Sequence, residues 1–337
     1  MSEKYLVGID NGGSEIKCAV FTADGRELAV ASRRLPIEVP EPGWSERDSN
    51  EVWEKNAEAV REALERAGIS GDEVAGVGLT GYGNGFCLVD AKGEPSYPAI
   101  VSTDERADGI CAEFAETGVE RAIYPMTCQS TWAAQPIALL AWFKRNSPQV
   151  LAASRWVLGI KDWIRYKLTG QFTTEITEAS STCLCNLHTR LFDPAIFEAA
   201  GIAECLPMMP RIIASEECGG YVTAEAAAAT GLAEGTPVVG GFFDIDRCSP
   251  TASWRCPSSR SSCGSFTRSP WARLSATAAS PSAPTSPTGL TTSSAPSGSS
   301  PARAACSRAG AWRRGSSASS PTASSTAWAL CSASCRR

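Results

Sequence analysis

Histidine is almost missing from this 337-residue chain, where His188 stands alone. A metal centre built on several imidazoles and a Ser-His-Asp triad are both excluded. The eight cysteines before Arg247 show no C-x-x-C pair. They read as small buried hydrophobes or free thiols of a reducing compartment, and "CLC" at Cys183 and Cys185 reads as alternation in a strand rather than a metal site. No apolar run approaches the roughly 18 residues of a membrane span. The opening "MSEKYLVGID" passes directly into a strand-like run without a signal-peptide layout. A soluble, cytoplasmic protein with no membrane partner is expected.

Acidic residues are missing from the last part of the chain. All 36 Asp and Glu lie before Arg247, while 11 of the 31 Lys and Arg lie from there onward, all Arg. The first 246 residues therefore carry 20 basic against 36 acidic groups, a net of -16, and the remainder carries +11. The overall charge of -5 gives no reason to expect nucleic acid. Residues 248–337 also lack Lys, Asn, Gln, His, Ile, Val, Met and Tyr. Without β-branched aliphatics there is neither core nor strand grammar, so a disordered, low-complexity Ser/Ala/Pro/Arg tail is expected. These residue types match GC-rich codons read out of frame, and the tail is read here as such a segment rather than a natural linker.

The first 247 residues read as an α/β domain. "YLVGID", "EIKCAVFT" and "ELAVASRRL" suit an antiparallel meander of three strands, with an Asp-Gly turn between the second and third. A helix follows, carrying Val52, Trp53, Val60, Ala63, Leu64 and Ala67 at helical spacing, with Gly68 at its end. "VAGVGLTG" (74–81) is a second buried run, heading a hairpin through "FCLVDAKGEP". Residues 136–146 and 156–172 have helical periodicity, with Gly170 closing the latter. "TAEAAAATGL" is a short helix opened by Thr223, and "TPVVGGFFDI" (236–245) is a buried strand.

Three stretches could carry chemistry. In "GIDNGGSEIK" a strand delivers Asp10 to its end, and Gly12 and Gly13 turn the chain with exposed N–H groups that can face phosphate oxygens. Asp10 could hold Mg²⁺ directly or through water, Ser14 adds a hydroxyl and Lys17 a cation. An ordinary glycine turn is the alternative. In "GLTGYGNGF" (78–86) and "AIVSTDERA" (99–107), Tyr82, Asn84, Asp104 and Arg106 could hydrogen-bond a polyol, could pair with each other, or could be solvated loop residues. Asp244, after "VVGGFF", suits a general base for a hydroxyl attacking a phosphoryl group, or else a helix cap.

Taken together these stretches resemble the FGGY carbohydrate kinases. "GIDNGGSEIK" is similar to that family's first phosphate motif, "GWSERD" to its Gly-Trp-x-x-x-Asp stretch and "AIVSTDERA" to its x-x-D-x-R strand. "KDWIRYKLTGQFTTEITEAS" (161–180) resembles its K-D-x-x-R-x-x-L-T-G segment, and "GYVTAEAAAATGLAEGTPVVGGFFD" (220–244) the signature leading to its catalytic Asp. Within the family, residues 124–144 and "GGFFDI" look most like L-xylulose kinases and their relatives. The resemblance implies an actin-like, ribonuclease H-like domain over 1–247, a mixed sheet flanked by helices. It implies ATP and Mg²⁺ as cofactors, facing Asp10, Gly12, Gly13, Ser14 and Lys17. It implies a small-molecule sugar near Tyr82, Gly83, Asn84, Asp104 and Trp132, with Asp244 as base, and it leaves a homodimer open. Gly13 stands where the family usually has Thr, and Tyr82-Gly83-Asn84 replaces the Gln-Met-His run of D-xylulose kinases. The family's second actin-like domain, which supplies the adenosine pocket, is not readable after Asp244. A truncated, poorly active ketopentose kinase is expected, with a non-catalytic sugar-binding module or an inactive remnant as the alternative.

Overall fold

The structure is a computed structural model that describes residues 4–244. The expectations for the tail 248–337, and the domain limit at 247, lie outside the described residues. The first three strands are β1 (Tyr5–Asn11), β2 (Glu15–Thr22) and β3 (Glu27–Arg34), a meander as expected. After β4 (Glu46–Arg47), helix α1 (Ser49–Ala67) crosses over to β5 (Val74–Gly81), which pairs parallel with β1. Next come β6 (Cys87–Val89), β7 (Ala99–Ile100), α2 (Asp108–Thr117), α3 (Val119–Thr127), α4 (Pro136–Asn146) and α5 (Pro148–Ala153). They are followed by β8 (Trp156–Leu158), α6 (Ile160–Thr169), β9 (Thr173–Glu175), α7 (Ile176–Ser181), β10 (Cys185–Asn186), β11 (Leu191–Phe192) and α8 (Pro194–Ala199). The described residues end with β12 (Arg211–Ile213), β13 (Cys218–Tyr221), α9 (Ala224–Thr230), β14 (Pro237–Val239) and β15 (Phe242–Phe243).

One mixed sheet dominates, in the order β13-β14-β5-β1-β2-β3, with β15 also on β5. Its core is built from Val7, Ile9, Val77 and Leu79 of the sheet against Val52, Val60 and Leu64 of α1 and Trp163, Ile164 and Leu168 of α6. Helix α1 starts where Asp48 Oδ1 accepts from the Asn50 and Glu51 amides, at 2.7 and 3.0 Å, and stops where Gly68 turns left-handed. The Trp163 indole donates to the Ser49 carbonyl at 2.8 Å, which ties α6 to the start of α1. A second apolar cluster joins α2, α3, α4 and α8 beside the sheet. No described helix is long and apolar enough to cross a membrane.

The structure corrects three expectations. Residues 156–172 are not one helix: Trp156–Leu158 form β8, which pairs with β6, and the helix begins after Gly159. The hairpin through "FCLVDAKGEP" does form, with Val89 bridging Pro95 and the Asp90 amide donating to the Glu94 carbonyl at 2.8 Å, but "CLC" is not strand alternation, since Cys183 has a left-handed φ of 60° and only Cys185 enters a strand, β10. The run 236–245 is broken at Gly240-Gly241 into β14 and β15, both parallel to β5. At Gly241, φ is +83° and an added Cβ would lie 2.2 Å from the Leu79 carbonyl oxygen. Gly235 has a similar φ of +84° but nothing within 4 Å of an added Cβ. Gly235→Ala should therefore cost about 1–2 kcal/mol, the dihedral penalty alone. Gly241→Ala should cost at least about 2 kcal/mol more, because the clash is with backbone. Chemical denaturation of the two variants checks this, and equal losses would show that the β14–β15 break tolerates a side chain.

Candidate acceptor and phosphate-facing site

Strand β5 lies between β1 and β15, all three parallel, so their carboxyl ends open at one edge. Thr80 faces Asp10 on one side and Phe242 on the other, and Gly81 likewise faces Asn11 and Phe243. The Tyr82 amide donates to the Asn11 carbonyl and the Asp244 amide to the Gly81 carbonyl, each at 3.0 Å. Asp10 and Asp244 thus leave the sheet on either side of β5, on strands separated by two spacings, roughly 9.6 Å. Such an edge is where α/β sheets hold ligands.

Beyond Asp10 the chain turns through Gly12, Gly13 and Ser14. The Gly12 amide donates back to the Glu15 carbonyl at 3.0 Å, so this N–H closes the turn instead of facing outward. Gly12 must stay bare, since a Cβ would come 2.9 Å from that same carbonyl oxygen, whereas Gly13 has open space around it. Gly13 and Ser14 are exposed. Lys17 pairs with Asp10 in the β1–β2 register and forms an ion pair with Glu15 at 3.4 Å.

On the other side of the edge, Tyr82 and Asn84 are buried and Asn84 adopts a φ of 64°. Gly83 is required by packing: an added Cβ would meet the Phe243 ring at 2.6 Å. A larger residue at 83 and the Phe243 ring therefore exclude each other. Trp132 is 42% exposed, and its loop is fastened beside Asn84 because the Gly85 amide donates to the Ala134 carbonyl at 2.7 Å.

Asp104 is expected at a substrate, but the structure commits both its oxygens elsewhere. Oδ1 accepts from Arg106 Nε at 2.8 Å and from the Arg106 amide at 3.0 Å; Oδ2 accepts from Arg106 Nη2 at 2.9 Å and from the Ser45 amide at 2.7 Å. Arg106 also donates to Glu46 at 2.7 Å and lies over the Trp44 ring at 4.0 Å. The D-x-R strand and the "GWSERD" stretch are therefore knitted to each other, and Asp104 positions that junction.

Several groups at this edge were not singled out by sequence. Buried polar atoms without a hydrogen-bond partner among the described residues include Asn11 Nδ2, Arg47 Nε, Ser49 Oγ, Asn56 Oδ1, Thr80 Oγ1, the Tyr82 hydroxyl and Asn84 Oδ1. Asn11 and Asn56 bond each other at 2.8 Å, which brings α1 to the end of β1. Arg47 donates to the Gly13 carbonyl and its guanidinium carbon lies 5.7 Å from the Tyr82 ring centroid, so it spans from turn to loop. Burial raises the Tyr82 pKa above the usual phenol range, with the Arg47 cation acting against it. Native interiors leave few such atoms unpaired, so their concentration at one strand edge points to a polar ligand. No local pattern marks Arg47, Asn56 or Thr80, which converge only through the tertiary fold.

Beneath Asp244 lies a buried ion cluster from the "KDWIR" and "TTEITE" stretches. Arg165 donates to the Gly240 carbonyl at 2.7 Å, to Asp162 Oδ1 at 2.8 Å, and to the Thr173 carbonyl and hydroxyl at 2.6 and 3.0 Å. Lys161 Nζ lies 3.0 Å from Asp162, 3.5 Å from Glu175 and 3.6 Å from Glu178. Burial works to lower the Lys161 pKa, yet the three carboxyl groups hold it above the usual lysine range. Burial likewise opposes ionisation of Asp162, and Lys161 and Arg165 hold it below the ordinary carboxyl range. The Thr177 hydroxyl donates to Glu175 and accepts from the Phe243 amide at 2.8 Å. The cluster thus grips the chain at Gly240 and Phe243, on both sides of the left-handed Gly241.

A mixed sheet opening on one edge, with an Asp on either side of β5 there, sets the architecture. Residues 5–248 match the N-terminal domain of the FGGY family of carbohydrate kinases, and the chain belongs to that family. It is 38% identical over 244 residues to the L-xylulose/3-keto-L-gulonate kinase of Escherichia coli K12, covering 72% of this chain and 49% of that protein. It is 34% identical over 241 residues to a probable L-xylulose kinase of Pasteurella multocida, covering 72% of this chain and 50% of that protein. The xylulose kinase structure from Rhodospirillum rubrum superposes with a TM-score of 0.68 at 27% identity, over 72% of this chain and 50% of that one. The chain spans about half the length of the curated relatives it matches. The fold is the actin-like fold of sugar kinases, as the motifs imply.

Proposed function

We propose that residues 5–244 form the sugar-accepting, first phosphate-facing half of an ATP-dependent ketopentose kinase. The observation that carries this is the set of unpartnered buried polar atoms on Asn11, Thr80, Tyr82 and Asn84, gathered at the strand edge between Asp10 and Asp244. A polyol supplies donors and acceptors in the number such a set requires. Tyr82 and Asn84 bind sugar hydroxyls, Trp132 covers the sugar from its exposed loop, and Gly83 keeps room for Phe243. Asp104 acts by positioning Ser45 and Arg106 rather than by contact. Asp244, held by the Gly81 carbonyl at its amide, takes the proton of the reacting hydroxyl as that oxygen attacks phosphorus. The Gly13–Ser14 turn and Lys17 face the phosphates. Mg²⁺, when bound, neutralises phosphate charge, and Asp10 is the carboxylate that would hold it, directly or through water; one carboxylate suits an ion that retains several waters.

The similarity to L-xylulose kinases favours a ketopentose or a related keto sugar. Residues 248–337 contain no Asp, Glu, Lys, Asn, Gln or His from which to build a nucleotide-binding surface. We therefore expect the 337-residue chain to bind sugar and to transfer phosphate poorly. Calorimetry with L-xylulose, D-xylulose and glycerol tests the first part. Tyr82→Phe should weaken the preferred sugar by about 3- to 10-fold, one neutral hydrogen bond. Asp244→Asn should leave sugar affinity within a few-fold. A coupled assay with ATP, Mg²⁺ and the same sugars tests the second part, and ordinary kinase turnover would overturn it. Saturable sugar binding that ATP leaves unchanged would favour a sugar-binding module instead.

A further inference from the structure

Arg47 is a buried cation, 2% exposed, in the short strand β4. The other buried cations among the described residues have carboxylate partners: Arg106 has Asp104 and Glu46, and Lys161 and Arg165 have Asp162. Arg47 has no carboxylate within ion-pair distance among the described residues. Its Nη2 donates to the Gly13 carbonyl, while its Nε is buried and unpartnered. A guanidinium out of water with neither counter-charge nor full hydrogen bonding is strongly disfavoured unless something else supplies both. Its place shows where that would come from. One end touches the phosphate-facing turn, the other lies near Tyr82, and unpartnered Ser49 is two residues away. Asp10 and Asp244 flank the same edge, and a fixed positive charge there favours an anionic oxygen entering beside them.

We propose that Arg47 is an oxyanion-binding residue of this site, completing its ion pair with an anionic oxygen brought by a ligand. The inference rests on the acceptor-site reading above. Two sources share the chemistry: the carboxylate of a sugar acid, or the phosphoryl group in transit. The guanidinium fork suits both, since each offers two oxygens in one plane.

The test is equilibrium binding by the full chain, wild type against Arg47→Met, with three probes: L-xylulose, L-gulonate, and inorganic phosphate with Mg²⁺. The expected result is that neutral-sugar affinity stays within about threefold while an anionic probe weakens about 10- to 100-fold, the loss of a charge-assisted hydrogen bond. Loss confined to gulonate assigns the carboxylate source, and loss confined to phosphate assigns the phosphoryl source. Unchanged affinity for both anions overturns the proposal and leaves Arg47 as an anchor for the Gly13 turn. A wild type that binds no neutral sugar defeats the acceptor reading instead, and the phosphate measurement then decides Arg47 alone. Should Arg47→Met fail to fold, Arg47→Gln, which can still donate to the Gly13 carbonyl without a charge, carries the same comparison.

Discussion

Arg165→Met should destabilise the domain by about 3–5 kcal/mol, the penalty for breaking a buried ion pair from one side. The melting temperature should fall by about 6–20 °C. The side chain is fully buried, and four protein acceptors converge on its fork: the Gly240 carbonyl, Asp162, and the Thr173 carbonyl and hydroxyl. Met fills part of the volume but takes the Arg165 donor away from all four, leaving Asp162 with Lys161 and the Thr174 hydroxyl. Asp162 then retains only Lys161 as a cation, inside a cluster that already holds Glu175 and Glu178. Arg165→Lys should recover little, because an ammonium cannot reach Gly240 and Thr173 on divergent vectors as a planar fork does. Loss of the Gly240 bond also frees the break before Asp244, so the surviving folded fraction should bind sugar more weakly at the Asp244 side. Thermal and urea denaturation followed by circular dichroism measure the first effect. A midpoint within about 2 °C of wild type would show that the cluster contributes little, contrary to its geometry.

This also gives the "KDWIR" segment a physical role. It contributes nothing at the strand edge itself; it shapes the chain that delivers Asp244. Lys161 and Arg165 face a carboxyl-rich patch under Gly240 and Phe243, and Thr177 takes up the Phe243 amide. The chain before Asp244 is held on both faces, one by β5 and the other by this buried network.

Local grammar made much of the fold legible. Tyr5–Asn11, Glu15–Thr22 and Val74–Gly81 are apolar runs bounded by turn residues, and Pro136–Asn146 opens with Pro and ends in basic residues. What failed depended on distant contacts. Trp156, Val157 and Leu158 continue the spacing of the following helix, but Gly159 packs where a Cβ would lie 2.7 Å from the Glu178 carboxyl carbon, and the chain turns there. The two glycines in "VVGGFF" read as strand residues until the Leu79 carbonyl is placed against Gly241. Asp104 was ambiguous because a D-x-R strand end can face a ligand or fold back on itself, and only the position of Trp44 and Glu46 decides. Asp10, Tyr82 and Asp244 could be placed at strand ends from the sequence, while the roles expected of them came from the resemblance. Arg47 could not be singled out, since its significance lies in having no carboxylate partner among the described residues, and a sequence does not show what a side chain lacks.

Glu178 should make the domain lose stability steadily as pH rises from about 5 to 8. Its carboxyl is fully buried; burial pushes its pKa up to about 8, opposed by Lys161, reinforced by Asp162 and Glu175, and opposed again by the Asn84 amide. Counting charges gives the same answer: two cations, Lys161 and Arg165, face three carboxyl groups, so the dry cluster is neutral only with one proton bound. Tyr82 and Cys87 are the other titratable neighbours, and both are held protonated by burial. The sign follows from linkage. Below about pH 4.5 Glu178 is protonated in both the folded and unfolded states, and its contribution does not change with pH. Between there and about 8 the folded state keeps the proton and the unfolded state has lost it, so stability falls by about 1.4 kcal/mol per pH unit. Above about 8 the effect levels off, leaving an uncompensated carboxylate beneath Asn84. Glu178→Gln keeps the shape and removes the titration, so its melting temperature should be nearly flat between pH 5.5 and 8 and should exceed wild type by several degrees at pH 8.5. Parallel pH series of thermal melts decide it. A wild-type midpoint constant over that range would mean that Glu178 is ionised and that Lys161 pairs with it fully. Because Asn84 lies over this carboxyl, sugar affinity of the wild type should weaken over the same interval, and the Gln variant should not show that dependence.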